Sequence, residues 1–485
     1  MGKSKRKEDV CAIFVHAGAG FHSRENEKKH LEVCELAVQS GMTFLRHGGT
    51  AIDAVEVALM VLEDAPITNA GYGSNLTEKG IVECDASIID HFGRSGACGA
   101  VANVKNPIQL ARKIYDRAHK SPGMSRVPPN FLCGEGATDF AWDNRVVVVP
   151  DESLVAPIAR HRWNLWCREL DQYYREHPEA AGEADPYLRR PLTPIETRFA
   201  RAFPDIPKDF AAQIASARDI DDESPVPGEE KDRKALDGQL PKAKSPTKRS
   251  SLSTPRHADP PGAAELDQRA QNAGSQTAQA PRNDQDAITD TVGAIAIDRY
   301  GNIAAGSSSG GIGMKHRGRV GPAALIGIGT HVLPVDPSDP DKTTVAVVTS
   351  GTGEHIASTF AASTCATRIY YNQRMGPGGM FDEVSEEEAI SSMLTKEFTG
   401  HPAVANSEIN GSIGIMAVKK TEDGIGLFFA HNTESFALAS MSNRDTKPNC
   451  VMSRNQNRAP VAQGGLMIRP KYSSPISQEK KKPKT

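Results

Sequence analysis

The chain reads as an α/β protein, and three features of the sequence carry that reading. At the start, the apolar run Ala12 to Val15 passes through a turn at Gly18 and Gly20 into helical spacing over Glu27 to Arg46, which predicts a strand, a turn and a helix. In the second half, alternating β-branched segments recur at 292–297, 303–307, 344–349, 413–418 and 427–430, with helical spacing over 353–371 and 386–394. Between these blocks no aromatic residue occurs from Ala211 to Arg299, so that stretch can supply little of a core.

Each element has a local reason. Thr50 to Leu62 repeats Ala, Val and Leu at three- and four-residue intervals, and Asp64-Ala65-Pro66 ends the helix because proline cannot continue it. A glycine turn follows at Asn69 to Ser74. Residues 81–90 and 97–104 read as strands joined by a Gly-rich turn, and Ile108 to Ala118 as a helix opened by Pro107. Between Ser153 and Ala215 the spacing is helical. Trp163, Trp166, Leu170 and Tyr173 recur at helical intervals there, and Thr193-Pro194-Ile195-Glu196 has the form of a capping box, so the plain reading is a packed helical pair. Residues 216–288 are rich in Pro, Ala, Ser, Asp, Glu, Lys and Gln. They bury too little apolar surface to offset their ordering entropy, which predicts a disordered linker. Ser385 is placed to cap the helix that follows it.

The linker meets the second block at Asp290-Thr291, followed by the run Val-Gly-Ala-Ile-Ala-Ile-Asp (292 to 298), which reads as a buried strand beginning at the threonine. Taken alone, such a junction also fits a linker that happens to meet a core strand. Cleavage before Thr291 would nevertheless fix a new N-terminus on a rigid element. It would also give the weakly nucleophilic hydroxyl its own general base, a free α-amine with a pKa of about 7.7 to 8.0. A flexible tract ahead of the cut would let activation proceed without pulling apart a packed element. Downstream, Ser307 to Gly311, Lys315 to Gly321 and Thr349 to Glu354 offer hydroxyls, backbone N–H groups and a guanidinium.

These loops resemble the type 2 asparaginase group of N-terminal nucleophile hydrolases, together with Val15 to Ser23, Asn69 to Ser74, Glu83 to Ile88, Gly134 to Ala137, Gly353-Glu354-His355 and Thr433-Glu434-Ser435. The likeness is strongest to the threonine aspartase branch, and it covers roughly residues 10 to 150 and 290 to 440. It implies a four-layer αββα sandwich with the nucleophile's strand lying centrally. It also implies a self-processing threonine endopeptidase that cuts between Asp290 and Thr291 and then cleaves proteins after aspartate. The domain organisation expected from it is a basic tail (1–9), an α subunit (10–290, including the helical segment 153–215 and the linker) and a β subunit (291–485) with a basic C-terminal tail.

The resemblance assigns roles residue by residue. Thr291 is the nucleophile, and Ser309 holds its hydroxyl or amine in register. Ser350 Oγ and the Gly351 N–H become donors to the oxyanion, each commonly worth ~3 to 4 kcal/mol. Gly353 lies on the substrate side of the same loop. Arg319 reads the aspartate carboxylate with its rigid fork. Three positions on, small-molecule asparaginases carry an aspartate that pairs with the free amine of asparagine, whereas this chain has Pro322. A proline cannot bind an ammonium, so an internal, peptide-bound aspartate is the better substrate. His16 either shapes the floor of the site or is a satisfied core histidine. The residues before the cut, Ala287-Ile288-Thr289-Asp290, lack the apolar residue that the family prefers immediately before aspartate.

The competing readings are an asparaginase or isoaspartyl peptidase of the same family, in which another acid would have to replace the missing one, and an uncut, non-catalytic scaffold. Gly351 to Gly353 could cradle a phosphate, but no Walker lysine or dinucleotide spacing follows. Net charge is -3 and the eight cysteines form no Cys-x-x-Cys pair. Those two facts predict no direct nucleic-acid or membrane partner, no structural zinc and a reducing compartment. No signal sequence, lipid anchor, membrane span, metal or cofactor is expected. The basic clusters Lys3 to Lys7, Lys242 to Arg249 and Lys480 to Lys484 fit solvated tails or import signals. With the resemblance they suggest a protein of nucleus and cytoplasm acting on nuclear regulators. The resemblance also implies α and β subunits that stay associated after self-cleavage, with a dimer of αβ units left open.

Overall fold

Alternation along the strands decides the layering, because successive side chains of a strand point to opposite faces. In β1 (Ala12–Gly20), Ile13, Val15 and Ala17 pack in one apolar cluster while Ala12, Phe14 and Ala19 pack in another. In β5 (Val292–Ile297), Val292, Ala294 and Ala296 join the first cluster and Ile295 and Ile297 the second. Strands buried on both faces must lie between two layers.

The computed structural model describes residues 6–7, 9–118, 120–177, 291–455 and 459–473. Between β1 and β5 come β2 (Cys84–Asp90), β3 (Ser95–Val101) and β4 (Phe131–Cys133). After β5 come β6 (Ile303–Ser309), β7 (Thr330–Leu333), β8 (Thr344–Gly351), β9 (Ile413–Thr421), β10 (Gly424–His431), β11 (Ser435–Ser442), β12 (Asn449–Arg454) and β13 (Ala462–Ile468). Of the two large sheets, one has eight strands in the order β12-β11-β1-β5-β6-β2-β3-β4, and the other has five in the order β13-β10-β9-β8-β7. Strands from both halves of the chain thus interleave in the larger sheet. Apart from the parallel β3–β4 pair, neighbours in both sheets are antiparallel.

Helices α1 (Glu27–Arg46), α2 (Ala51–Asp64) and α3 (Pro107–Ala118) cover the outer face of the eight-stranded sheet. Helix α4 (Gly134–Asp143) adds Ala137 and Ala141 to the same cluster. Phe14, Ile295, Val348, Met416 and Phe436 fill the space between the sheets. The outer face of the smaller sheet packs on α7 (Ala361–Tyr370) and α8 (Glu386–Ser392). The result is the four-layer αββα sandwich that the resemblance implies. Helix α2 starts where Thr50 and Asp53 form a reciprocal capping box and ends before Pro66, and Ser385 caps α8 by accepting from the Glu388 N–H.

Four sequence expectations are corrected. The turn expected at Gly18 and Gly20 is strand, since β1 runs on from Val15 and Gly20 pairs with Ser435. The helix expected over 353–371 is two helices, α6 (Gly353–Ser358) and α7, separated by Phe360 in the left-handed region at φ 49°. The helix from Glu386 does not stop at residue 394: regular geometry ends at Ser392 and a π-helical turn continues through Met393–Phe398. The strand at the linker junction begins at Val292, one residue after Thr291. Residues 153–177 form a 3-10 turn (Asp151–Leu154) and helix α5 (Pro157–Glu176). The second helix of the expected pair, the capping box at Thr193, the linker at 216–288, Asp290, and the basic clusters except Arg6 and Lys7 lie outside the described residues.

Candidate active site

Register brings the candidate nucleophile to its partner. In the antiparallel β5–β6 pair Val292 faces Ser308, so Thr291 falls opposite Ser309, and by alternation both side chains point to the side between the two sheets. Thr291 Oγ1 donates to Ser309 Oγ at 3.1 Å, and the Gly311 N–H donates to the same oxygen at 3.0 Å. Both residues are buried. Ser309 is therefore not a solvent-facing serine of a polar turn. The neighbouring Ser308 points the other way, to Glu63 at the end of α2, at 2.6 Å.

A cavity of about 340 Å³ opens at this end of the sandwich, and Thr291, Ser309, Arg319, Pro322, Gly351 and Gly353 all line it. Those sequence-chosen residues come from four separate segments. Gly351 sits at φ 138°, and a Cβ there would lie 2.2 Å from the Ser412 carbonyl oxygen, so only glycine fits. Ser350 is fully buried and does not line the cavity. Its Oγ accepts from the Ala19 N–H at 3.0 Å, which ties β8 to β1 across the layers and leaves the hydroxyl proton to donate.

Arg319 is largely buried beside three glycines. Added Cβ atoms at Gly311 and Gly321 would lie 3.0 and 2.6 Å from Nη1, and one at Gly353 would lie 2.5 Å from Nη2. The guanidinium is not unpartnered, because its Nε and Nη2 both donate to Glu354 Oε1, at 2.9 and 2.8 Å. Behind it, the buried Asp85 carboxylate accepts from the Gly321 and Ala100 N–H groups at 2.8 Å each, which fixes the loop that carries Arg319. Burial raises the Asp85 pKa, opposed by the nearby Lys315 ammonium.

His16 lies directly under the nucleophile's strand. It faces Gly293 in the β1–β5 register, and a Cβ on Gly293 would sit 2.3 Å from its Nε2. The ring is fully buried against Phe436, and neither nitrogen has a hydrogen-bond partner of good geometry among the described residues. Burial pushes it down to about 3, with a smaller opposing contribution from the Thr291 backbone. The ring is thus neutral at physiological pH, and it packs beside the site with the Thr291 backbone as its polar neighbour.

Sequence reasoning passed over several lining residues. Asn69 and Asn75 both donate to the Gly311 carbonyl, at 2.8 and 3.1 Å, and the Gly310 N–H donates back to the Asn69 carbonyl. The pair clamps the turn after Ser309. Their motif, Asn69 to Ser74, was legible as a turn, but nothing in it announces the partner turn some 240 residues away. Trp166 and Ile312 form an apolar wall of the cavity, although Trp166 reads from spacing alone as helix packing. Among the described residues, no group of three or more His, Cys, Asp or Glu side chains could hold a metal ion, and no helix is long and apolar enough to cross a membrane.

Comparison with known proteins agrees with this geometry. The family model described as Asparaginase matches residues 9–189 and 244–424, well over half the chain. The chain is 43% identical over 152 residues to an isoaspartyl peptidase/L-asparaginase of Xenopus laevis, which is 31% of this chain and 46% of that protein. It is 39% identical over 150 residues to a probable isoaspartyl peptidase/L-asparaginase 2 of Arabidopsis thaliana, covering 30% and 43% of the two chains. A plant-type L-asparaginase of Pyrococcus abyssi is 39% identical over 186 residues, covering 35% and 56%. The chain therefore spans about half the length of the relatives it matches. With the αββα layers, the threonine at the head of a central strand and its serine partner in place, the family match makes this chain a member of the asparaginase family of N-terminal nucleophile hydrolases.

Proposed function

We propose that the chain is a threonine aspartase of the taspase 1 kind, a self-processing endopeptidase specific for aspartate. In the precursor, Thr291 Oγ attacks the Asp290 carbonyl carbon, the C–N bond breaks, and the hydroxyl proton passes to the departing nitrogen. The result is an Asp290 ester on Thr291 and a free α-amine. Water then hydrolyses the ester, leaving an Asp290 carboxylate and the restored hydroxyl. On substrate the same oxygen attacks the carbonyl of an aspartate, the amine takes the proton and returns it to the leaving amine, and water resolves the acyl-enzyme. Ser309 orients the hydroxyl. The Gly351 N–H serves the oxyanion, with the Ser350 hydroxyl buried behind it in the same strand, and Arg319 holds the aspartate carboxylate, with Gly353 leaving room for the guanidinium.

The observation that carries this reading over the alternative is Pro322. It lines the cavity with Arg319, and it stands three positions on, where the resembled small-molecule asparaginases carry the acid that holds the ammonium of a free amino acid. The names of the relatives favour the other member of the pair, an isoaspartyl peptidase/asparaginase, and substrate choice is therefore the test. The proposed substrates are proteins with an internal aspartate, nuclear regulators among them, met in nucleus and cytoplasm. The two subunits remain associated after cleavage, and the αβ units pair further.

The experiment is the intact mass of the purified chain beside Thr291→Ala, followed by assay of aspartyl peptides against free asparagine and isoaspartyl dipeptides. Two fragments meeting between Asp290 and Thr291, absent from the variant, together with peptide cleavage after aspartate, are the expected results. A stable uncut wild-type chain would leave the scaffold reading. A processed enzyme that hydrolyses only the small substrates would leave the asparaginase reading.

A further inference from the structure

The apolar part of the cavity lining comes from Trp166 of helix α5, in the part of the chain before the proposed cleavage point, and from Ile312, in the part after it. Trp166 is half-buried there. A Cβ on Gly313 would lie 2.1 Å from Trp166 Cζ3 and 2.5 Å from Cη2, so the six-membered ring rests on bare backbone and nothing larger than glycine permits it. Ile312 beside it stays 47% exposed, unusual for an isoleucine in a site otherwise built of glycines, hydroxyls and a guanidinium.

The indole is held on a fixed support. One turn before it, the buried Arg162 donates to Asn75 Oδ1 at 3.2 Å, and Trp163 Nε1 donates to the Thr77 carbonyl at 3.0 Å. Asn75 also grips the Gly311 carbonyl. The loop that clamps the Ser309 turn therefore also docks α5, and Trp166 keeps a fixed relation to the nucleophile. Trp163 has a structural hydrogen bond to account for its indole N–H, whereas Trp166 makes no side-chain hydrogen bond among the described residues. An aromatic face with a spare N–H suits an apolar side chain next to a peptide carbonyl.

We propose that Trp166 and Ile312 form a peptide subsite, in which Trp166 determines specificity by taking an apolar side chain adjacent in sequence to the scissile aspartate. The inference rests on the endopeptidase reading and deepens it. Free asparagine, with Arg319 and Thr291 engaging its two ends, has only its ammonium left over and no apolar group to offer this wall. The subsite thus selects peptide over amino acid by an attraction, where Pro322 does so by omitting a partner.

The test uses the self-processed full chain as wild type, Trp166→Ala and Trp166→Phe. Aspartyl peptides would carry Leu, Phe, Gly or Ser immediately before, or immediately after, the aspartate. Trp166→Ala is expected to lower kcat/KM for apolar-flanked peptides roughly 10-fold to 100-fold, the range for losing burial of one large apolar side chain, chiefly through KM. Gly-flanked peptides should change little, and Trp166→Phe should retain most of the discrimination. As a binding readout, a product peptide ending in Leu-Asp should perturb the indole fluorescence of wild type, and Trp166→Phe should remove that change. Equal losses on apolar and Gly-flanked peptides, or no loss on either, would overturn the inference while leaving the endopeptidase intact. A wild-type enzyme active on free asparagine and on no aspartyl peptide would instead overturn the reading on which it rests.

Discussion

Gly293 is the most sensitive position in the nucleophile's strand that carries no chemistry of its own. An alanine there would put its Cβ 2.3 Å from His16 Nε2, 2.9 Å from Cδ2 and 3.0 Å from Val348 Cγ2. Ordinary contact between such atoms is about 3.5 to 4.0 Å, so either the imidazole or the strand must move by roughly an ångström. Neither has room, since His16 and Val348 are fully buried. Overpacking of this kind costs about 1 to 3 kcal/mol, more than the ~0.5 to 1 kcal/mol that alanine gains over glycine in a strand. The displaced residue would lie two positions from Thr291, where a 1 Å error in a reacting group costs on the order of 100-fold in rate. Gly293→Ala should therefore lower the melting temperature and slow self-processing, followed as the time course of fragment masses, by about two orders of magnitude. His16→Ala in the same chain opens the space that the new Cβ needs. The double variant should process faster than Gly293→Ala alone, with a favourable coupling of about 1 kcal/mol or more in stability. If Gly293→Ala melts and processes like wild type, or if removing the imidazole restores nothing, His16 is not the wall against which this strand is set.

Three further outcomes follow from the site. Arg319→Lys replaces a planar fork by a point charge and should raise KM for aspartyl peptides about 10-fold or more, with the melting temperature nearly unchanged; an unaltered KM would remove Arg319 from substrate binding. Pro322→Asp restores an acid beside the cavity and should create or increase hydrolysis of free asparagine, measured as ammonia release, at the expense of peptide cleavage. Glu63 gives a pH signature, because burial pushes its carboxyl up to about 8 from an ordinary 4.5, against hydrogen bonds from Ser308 and the Ile108 N–H. The folded state then holds a proton that the unfolded state has lost, so this contribution is complete below about pH 4.5 and disappears as pH rises through 8. Glu63→Gln should flatten the fall in melting temperature between pH 5 and 8, and an unchanged slope would show that Glu63 is already ionised in the fold.

How much of this was legible depended on whether a feature is written in neighbouring residues. Helix α1 and helix α2 carry their spacing, caps and stops within a few residues, and the β5 and β6 runs alternate clearly. Strand β11, Ser435–Ser442, was invisible for a physical reason: it is buried along its whole length between two neighbours, and its serines and alanines fill both faces, so no polar–apolar alternation marks it. The break at Phe360 has no glycine or proline to announce it. Thr291, Ser309, Arg319 and Gly351 could be chosen from motifs because each sits beside conspicuous glycines. Trp166 and Glu354 act through contacts that spacing does not encode, the first across the cleavage point to Gly313 and the second back to Arg319.

That last contact changes what the carboxylate-binding role of Arg319 requires. The Nε and Nη2 groups are both taken by one oxygen of Glu354, whose side chain is 61% exposed and so lies toward solvent. A substrate aspartate need not expel it. Nη1 packs against Gly311 and Gly321 and Nη2 against Gly353, where an added Cβ would strike the guanidinium itself, so the three glycines make room for the fork, which lines the cavity. Nη1 and the second N–H of Nη2 are not used by Glu354, so a carboxylate can meet them while Glu354 keeps the other edge, and the glycines are what let the guanidinium lie there. On this geometry Glu354 aims the guanidinium without competing for it. Glu354→Gln keeps the shape of the contact but weakens its charge-assisted bonds. It should therefore raise KM for aspartyl peptides moderately, with kcat held. A lower KM in that variant would show the opposite, that Glu354 sits where the substrate must go.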